Sequence, residues 1–293
     1  MATTTSPTAA PRSRPWLDLM RKALRHGSVL FGGSVVLVLA LVAAFGSAIA
    51  PYDPMAMDFT ARFAPPSWAH LFGTDDFGRD IFSRVLYGAS ISFRVAVIAV
   101  GISGVAGVTL GLVAGYLGGW IDELIMRVMD ILFAFPAVLL AITVMAILGR
   151  GVENAMIAIA IVYAPIFARV TRGAVISVRD REFVTAARAL GQNQAMIMLR
   201  HVLPNALGPI IVQTSLSLAF AILAEAALSF FGLGTQPPEP SWGRMLSEGR
   251  GFLHLAPWMG IFPGLAIMIS VLGFNTLGDG LRDVLDPRFR GRH

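Results

Sequence analysis

The sequence predicts an all-α polytopic membrane protein with six transmembrane helices, and three observations support this fold class. First, 55% of the residues are hydrophobic and 14% are charged, whereas soluble domains average about 45–50% apolar and about 25% charged residues. The mean hydropathy is accordingly high, at +0.69. Second, apolar segments long enough to cross about 30 Å of hydrocarbon recur along the chain. Third, the basic residues concentrate in alternate connections between these segments.

The six predicted spans are separated by connections that are rich in proline, glycine and charged residues. They cover residues 29–50, 91–117, 129–149, 154–175, 206–231 and 257–277. Residues 1–28 form a polar, basic N-terminal tail, and residues 29–293 form the transmembrane domain. Residues 48–50 have the small-x-small form of a signal-peptide cleavage site, but the apolar run before them exceeds the roughly 7–15 residues of a signal sequence. We therefore expect the first span to be a transmembrane helix.

The distribution of basic residues predicts the orientation. The chain has 23 basic residues and a net charge of +5, and Lys22 is its only lysine. Most of them lie in the tail, between the second and third spans, around residues 178–204 and at the C-terminal end. In a chain with six spans, these four segments lie on the same side of the membrane. The basic residues on the other side are Arg62, Arg79, Arg84, Arg94, Arg150, Arg244 and Arg250. The positive-inside bias predicts cytoplasmic N- and C-termini in the plasma membrane, which is the inner membrane of a Gram-negative cell.

Residues 178–204, which we call the coupling loop, are the only long polar connection with a helical pattern of its own. Asp180 is the predicted N-cap of a short helix, and Gly191 can adopt the left-handed conformation that ends it. A second short helix is predicted to end at Pro204, which cannot donate a backbone hydrogen bond. The apolar face of the first helix has the spacing i, i+3, i+4 and i+7: Phe183, Ala186, Ala187 and Leu190. Two such amphipathic helices outside the bilayer indicate a surface that binds another protein.

The coupling loop resembles the docking loop of permease subunits of binding-protein-dependent ABC importers. That loop carries Glu-Ala-Ala, three residues, Gly, nine residues, Ile, one residue and Leu-Pro. Five positions match: Ala186, Ala187, Gly191, Leu203 and Pro204. Thr185 replaces the expected Glu, with Glu182 three residues earlier, and His201 replaces the expected Ile. This variant is similar to the dipeptide, oligopeptide and nickel branch, as are the strings at residues 72–92 and 278–290.

The resemblance implies a fold like that of a type I ABC importer permease and a set of partners. These are a homologous second permease, one or two ABC ATPase subunits, an extracytoplasmic solute-binding protein and the lipid bilayer; nucleic acid is not expected. Cargo would be a peptide, or nickel or glutathione within the same family. ATP and Mg²⁺ would bind the ATPase, and this chain would hold no cofactor. The implied ATPase-coupling residues are Glu182, Phe183, Ala186, Ala187, Leu190, Gly191, His201, Leu203 and Pro204.

Catalytic and metal sites are not predicted for this chain. A phosphate-binding loop needs lysine after glycine, whereas Lys22 lies between Arg21 and Ala23. The chain has no cysteine, and its histidines are too scattered to form a ligand pair. Asp75, Asp76 and Asp80 lack the order of a calcium loop, so a solvated acidic turn with helix caps is the preferred interpretation.

Two further features lie within predicted spans. Glu225 is the one acidic residue that we place inside a span, and an intramembrane carboxylate usually faces a partner or a watery cavity. It is a candidate for the translocation path, with a structural hydrogen bond near the outer surface as the alternative. Gly107, Gly111 and Gly115 form consecutive small-x-x-x-small steps, which predict a helix-packing seam rather than an exposed substrate path.

Two other function classes stay open from the residues alone. An ion-coupled secondary transporter should show inverted repeats and several charged residues within spans. A structural or receptor-like membrane protein would leave the coupling loop as an interfacial helix without a partner. A permease subunit of an ATP-driven importer accounts for the coupling loop directly.

Overall fold

The computed structural model describes residues 22–285, so most of the predicted N-terminal tail and the basic C-terminal end lie outside the described residues. The described chain is built from helices joined by short connections and one longer segment, residues 50–80. The helices are α1 Gly27–Ile49, α2 Ile81–Leu117, α3 Gly119–Phe133, α4 Ala137–Leu148, α5 Val152–Arg179, α6 Glu182–Ala189, α7 Gln194–Ile197, α8 Leu203–Phe230, α9 Trp242–Gly249 and α10 Trp258–Leu285.

Five long helices and one broken pair account for the six predicted spans. In the described residues, α1, α2, α5, α10 and the continuous run Gln194–Phe230 are long and apolar enough to cross a membrane. The pair α3 and α4 passes the same test together but is bent by 93°. Residues 129–149 therefore do not form one continuous helix, and the third predicted span corresponds to this broken pair. Pro136 is the N-cap of α4, with a non-helical ψ of 130°, and its missing backbone donor favours a helix break at this point.

Other helices extend beyond the predicted spans because polar residues continue the helical hydrogen bonding outside the apolar stretch. Helix α2 begins at Ile81 and α10 runs to Leu285. Helix α5 continues from Val152 through Pro165 to Arg179. We call the end of the bundle that carries the coupling loop the coupling end. The distal end is the opposite one, formed by residues 50–80, α9 and residues 231–257.

The glycine seam holds α2 against α5 at the centre of the bundle. A Cβ atom on Gly107 would lie 2.5 Å from the carbonyl oxygen of Ala164, and one on Gly111 would overlap the carbonyl oxygen of Ala168. A Cβ on Gly115 would lie 2.9 Å from the carbonyl oxygen of Arg172. The contact partner advances four residues with each glycine, so the two helices run in the same direction. Because α5 covers this backbone, the seam is a packing surface and not a substrate path.

A buried cluster of charged side chains attaches residues 50–80 to α2 and α9. Arg79 Nε donates to Asp75 Oδ2 at 2.6 Å, and Arg84 Nη2 donates to Glu248 Oε2 on α9 at 2.9 Å. Arg84 is only 1% exposed. Asp80 caps α2 by accepting the Ser83 N–H at 2.7 Å. The predicted caps are therefore present, but the acidic string is not solvated: burial and the neighbouring Asp75 even raise the pKa of Asp76.

Candidate functional site

Helix α6 is attached to the bundle through two side chains. Val184 is 0% exposed and Ala187 is 5% exposed, and both belong to a small apolar cluster at the coupling end. This cluster joins the ends of α2 and α5 to the return leg of the coupling loop, through Leu112, Tyr116, Val175, Val178, Ile197, Val202 and Ala206. Burial of these side chains fixes α6 against the transmembrane helices.

The predicted apolar face of α6 is divided in the structure. Leu190 is 81% exposed and Phe183 is 39% exposed, and Ala186 is exposed beside them. Ala187 packs into the chain's own bundle instead. At about 100° per residue, Ala187 lies between the stripe of Val184 and that of Phe183, so the assignment of Ala187 to the partner-facing surface is corrected. The available surface consists of Phe183, Ala186 and Leu190.

The end of α6 is fixed by backbone geometry. Gly191 has φ +74°, the left-handed conformation expected for it. The Gln192 N–H donates to the Ala187 carbonyl at 3.2 Å and closes the turn. No atom lies within 4 Å of a Cβ built on Gly191, so only the backbone conformation restricts this position. At the other end the N-cap is Arg181, without a side-chain bond; the prediction of Asp180 is wrong because Asp180 ends α5.

The return leg of the coupling loop leads directly into α8. Asn193 caps α7 by accepting the Ala195 N–H at 2.9 Å, and a π-helical turn, Met198–Val202, joins α7 to α8. The prediction that a helix ends at Pro204 is wrong. Pro204 lies in the first turn of α8, where a missing backbone donor is tolerated. His201 lies in the π turn, and its Nε2 is 2.9 Å from Gln192 Oε1. The bond links the two legs of the loop.

Two arginines that the sequence reading did not single out connect the loop to α2. Arg179 Nη1 donates to the Gly115 carbonyl oxygen at 2.8 Å, which satisfies an acceptor in the last turn of α2. The guanidinium of Arg188 lies 5.8 Å from the ring centre of Tyr116, within reach of a cation–π contact. Displacement of α6 would therefore also act on the helices of the glycine seam. The available sequence signal was a basic residue in the last turn of each of the two consecutive helices, Arg179 in α5 and Arg188 in α6.

Glu225 lies inside the chain at the distal end and is 1% exposed. Its carboxylate accepts hydrogen bonds from Ser92 at 2.8 Å and from Ser229 at 2.7 Å, and Thr235 lies at 3.5 Å. These donors belong to α2, α8 and the connection after α8. The carboxylate therefore joins three segments through hydrogen bonds, as the structural alternative predicts, and its place on the translocation path stays a prediction.

Comparison with known families identifies the class of the chain. Residues 107–291 match the family of binding-protein-dependent transport system inner membrane components. The chain belongs to this permease family. Its residues 14–66 also match the N-terminal transmembrane domain of oligopeptide transport permease C. The chain is thus a multi-pass membrane permease of the ABC importer class, in the branch indicated by the coupling-loop variant.

Several permeases of this family are similar over nearly the whole chain. A dipeptide transport system permease protein of Alkalihalophilus pseudofirmus is 49% identical over 276 residues, covering 94% of this chain and 91% of the relative. A glutathione transport system permease protein of Pectobacterium atrosepticum is 44% identical over 277 residues, covering 94% and 92%. The corresponding glutathione permease of Escherichia coli O157:H7 is 47% identical over 278 residues, with the same coverage.

A solved structure shares the fold of this permease. A chain of the MetNI methionine ABC transporter, in an inward-facing conformation, superposes with a TM-score of 0.58 and 16% identity. The match covers 69% of this chain and 96% of that one. A second crystal form of the same transporter gives a TM-score of 0.51 at 18% identity. The polytopic helical fold of an ABC importer permease is thereby confirmed.

Proposed function

We propose that this chain forms, together with a homologous second permease, the path through which an ATP-driven importer moves short peptides across the membrane. The observation that carries the proposal is the coupling loop, a helix fixed to the bundle by one face and exposed on the other, in a chain of this family. The cargo assignment follows from relatives named as dipeptide and glutathione permeases. Both names denote peptides of two or three residues.

The exposed surface of α6 is the contact for a separate ATPase subunit, which binds ATP and Mg²⁺. Phe183, Ala186 and Leu190 expose apolar surface on one side of α6, and an amphipathic helix of this kind binds in a groove. Val184 and Ala187 fix the same helix to α2 and α5. Movement of the ATPase would therefore be transmitted to both helices as a rigid-body displacement.

The coupling end faces the cytoplasm in this proposal, and both termini lie on the same side. The excess of arginine in the connections of that side supports the orientation. The distal end then faces the external binding protein that delivers the peptide. The distal end is also where residues 50–80 and α9 form the largest extramembrane structure of the described chain.

Site-directed labelling tests the orientation, and the absence of native cysteine makes it clean. Ser67, His254 and Thr185 are all exposed. We expect Ser67→Cys and His254→Cys to react with a membrane-impermeant maleimide in intact cells, and Thr185→Cys to react only after permeabilisation. Reaction of Thr185→Cys in intact cells would contradict both the orientation and the ATPase contact.

Co-isolation and reconstitution test the function itself. We expect the tagged chain to co-purify with an ABC ATPase and a second permease, and the reconstituted complex to import peptide only with ATP and loaded binding protein. Import driven by a proton or sodium gradient through this chain alone would instead identify an ion-coupled secondary transporter.

A further inference from the structure

Two adjoining cavities open at the distal end, one between α1 and α2 and the other between α2 and the start of α5. Their volumes are about 370 Å³ and 570 Å³, in the range of small-ligand sites. Arg94 of α2 and Glu239 line both cavities, so the two form one continuous depression, and the larger one is also lined by Arg150 and Glu153. We call this depression the distal vestibule.

The four charged side chains of the distal vestibule have no polar partner within residues 22–285. Arg94, Arg150, Glu153 and Glu239 are all exposed at the wall of the vestibule. None of them makes a hydrogen bond, an ion pair or a cation–π contact within these residues. The other arginines and acidic residues of the distal end are engaged, whether in the buried cluster, in turns or over aromatic rings. Unpaired charges are therefore concentrated at this one concave place.

The arrangement suits a ligand with two opposite charges. Two arginines and two glutamates line the same depression without pairing with one another, so each remains free to bind an external group. In an extended dipeptide the two Cα atoms are about 3.8 Å apart, which places the terminal ammonium and carboxylate a few ångströms further apart. Guanidinium groups bind carboxylates through charge-assisted hydrogen bonds, and carboxylates bind ammonium groups in the same way.

The wall of the vestibule is tied to the rest of the bundle. The Gly151 N–H donates to the Leu233 carbonyl oxygen at 2.9 Å, which joins the start of α5 to the connection after α8. Arg150 and Glu153 flank this bond in the sequence, and Glu239 follows on the same connection. The bond therefore ties Arg150 and Glu153 to the connection that carries Glu239.

We propose that the distal vestibule binds the free ammonium and carboxylate groups of a short peptide after the binding protein releases it. Arg94 and Arg150 take the carboxylate, and Glu153 and Glu239 take the ammonium group. The proposal rests on the proposed function, and it adds that this subunit itself selects zwitterionic peptides at the outer side. The same charges could instead form a docking surface for the binding protein, and the experiment below distinguishes the two uses.

The test uses the complete transporter in proteoliposomes, with import of alanyl-alanine or glutathione, whichever the parental complex imports, measured against the concentration of loaded binding protein. The variants are Arg94→Gln, Glu239→Gln and the double variant; Arg250→Gln, an exposed distal arginine outside the vestibule, is the matched control. We expect the maximal import rate to fall about tenfold or more in each vestibule variant, because each substitution removes a charge-assisted hydrogen bond to the peptide. The half-saturating concentration of binding protein and the yield of assembled complex should stay unchanged.

A raised half-saturating concentration with an unchanged maximal rate would overturn the proposal and assign the charges to binding-protein docking. Parental rates in all three variants would overturn it as well. Lack of import by the parental complex would be a different failure, since it would contradict the proposed function itself.

Discussion

The two ends of this permease are held together in different ways. At the distal end, Arg79 and Arg84 are buried with their carboxylate partners, and two indole groups donate to backbone carbonyls across segments. At the coupling end, α6 is fixed by two small apolar side chains, while Leu190 remains 81% exposed. The buried charged cluster of the distal end is complete within the chain, whereas α6 at the coupling end carries exposed apolar side chains on a helix that is fixed to the bundle by its other face.

The physical chemistry of the two ends explains this difference. A buried charge without its partner costs several kcal/mol, so a charged cluster must be complete within one chain or be very unfavourable. Exposed apolar side chains cost far less individually, and their burial at a contact contributes roughly 25 cal/mol per Å². A surface that must bind and follow a moving ATPase is therefore better built from apolar residues on a small helix than from buried ion pairs.

The largest expected effect is the loss of the distal charged cluster. Arg84→Met removes a 1% exposed cation and leaves Glu248 and Asp75 with one basic partner fewer. We expect a loss of about 3–5 kcal/mol in stability, the usual cost of breaking a buried pair. The fraction of chain surviving a heat step in detergent, followed by size-exclusion chromatography, measures it.

Arg250→Met is the matched control for this variant. Arg250 is exposed and lies 5.7 Å over the ring of Phe230, so its removal should cost no more than about 1 kcal/mol. Equal losses for Arg84→Met and Arg250→Met would show that the distal cluster does not hold this end together.

A smaller effect is expected between the two ends, at the glycine seam. Gly111→Ala places a methyl group against the Ala168 carbonyl oxygen and within 2.8 Å of Thr171 Cβ, and such overpacking costs about 1–3 kcal/mol. Gly101→Ala, on the same helix, meets no atom within 4 Å and should gain about 0.5–1 kcal/mol. Thermal midpoints of the two variants in detergent should therefore move in opposite directions. Equal shifts would contradict the close approach of α2 to α5.

The smallest effect is expected at Glu225. In Glu225→Gln one acceptor oxygen becomes an amide donor, and the hydroxyl groups of Ser92 and Ser229 can rotate to accept from it. We expect about 1 kcal/mol of destabilisation and parental import per folded complex, with Glu123→Gln, an exposed carboxylate, as the control. Loss of import at parental stability would place Glu225 on the translocation path and break its assignment to the distal framework.

The fold was predictable from the sequence because hydropathy and arginine placement respond to the bilayer and need no tertiary detail. The break between α3 and α4 was not predicted from hydropathy, because the summed hydropathy of residues 129–149 is the same for a straight helix and for a bent pair. Pro136 was the signal for it. The distal cluster was also missed: Arg84 and Glu248 are distant in the sequence, and their pairing depends on how α9 packs against α2.

The coupling loop could be located from the sequence, together with its turn at Gly191. The division of α6 into two faces could not be derived, because periodicity places residues on stripes without telling whether a stripe meets the same chain or a partner. Val184, three residues before Ala187, was overlooked, although it is the only β-branched aliphatic residue of α6. Its side chain, together with that of Ala187, fixes the helix to the bundle.

Photo-crosslinking from α6 tests the central claim of this account most directly. A benzophenone amino acid replaces Leu190 in one variant of the assembled transporter and Leu255 in the other; both leucines are well exposed, at 81% and 59%, but they lie at opposite ends. We expect irradiation to join the Leu190 position to the ATPase subunit and the Leu255 position to no ATPase. An intact complex in which the Leu190 position gives no ATPase adduct, or in which the Leu255 position gives one, would contradict the assignment of the coupling end.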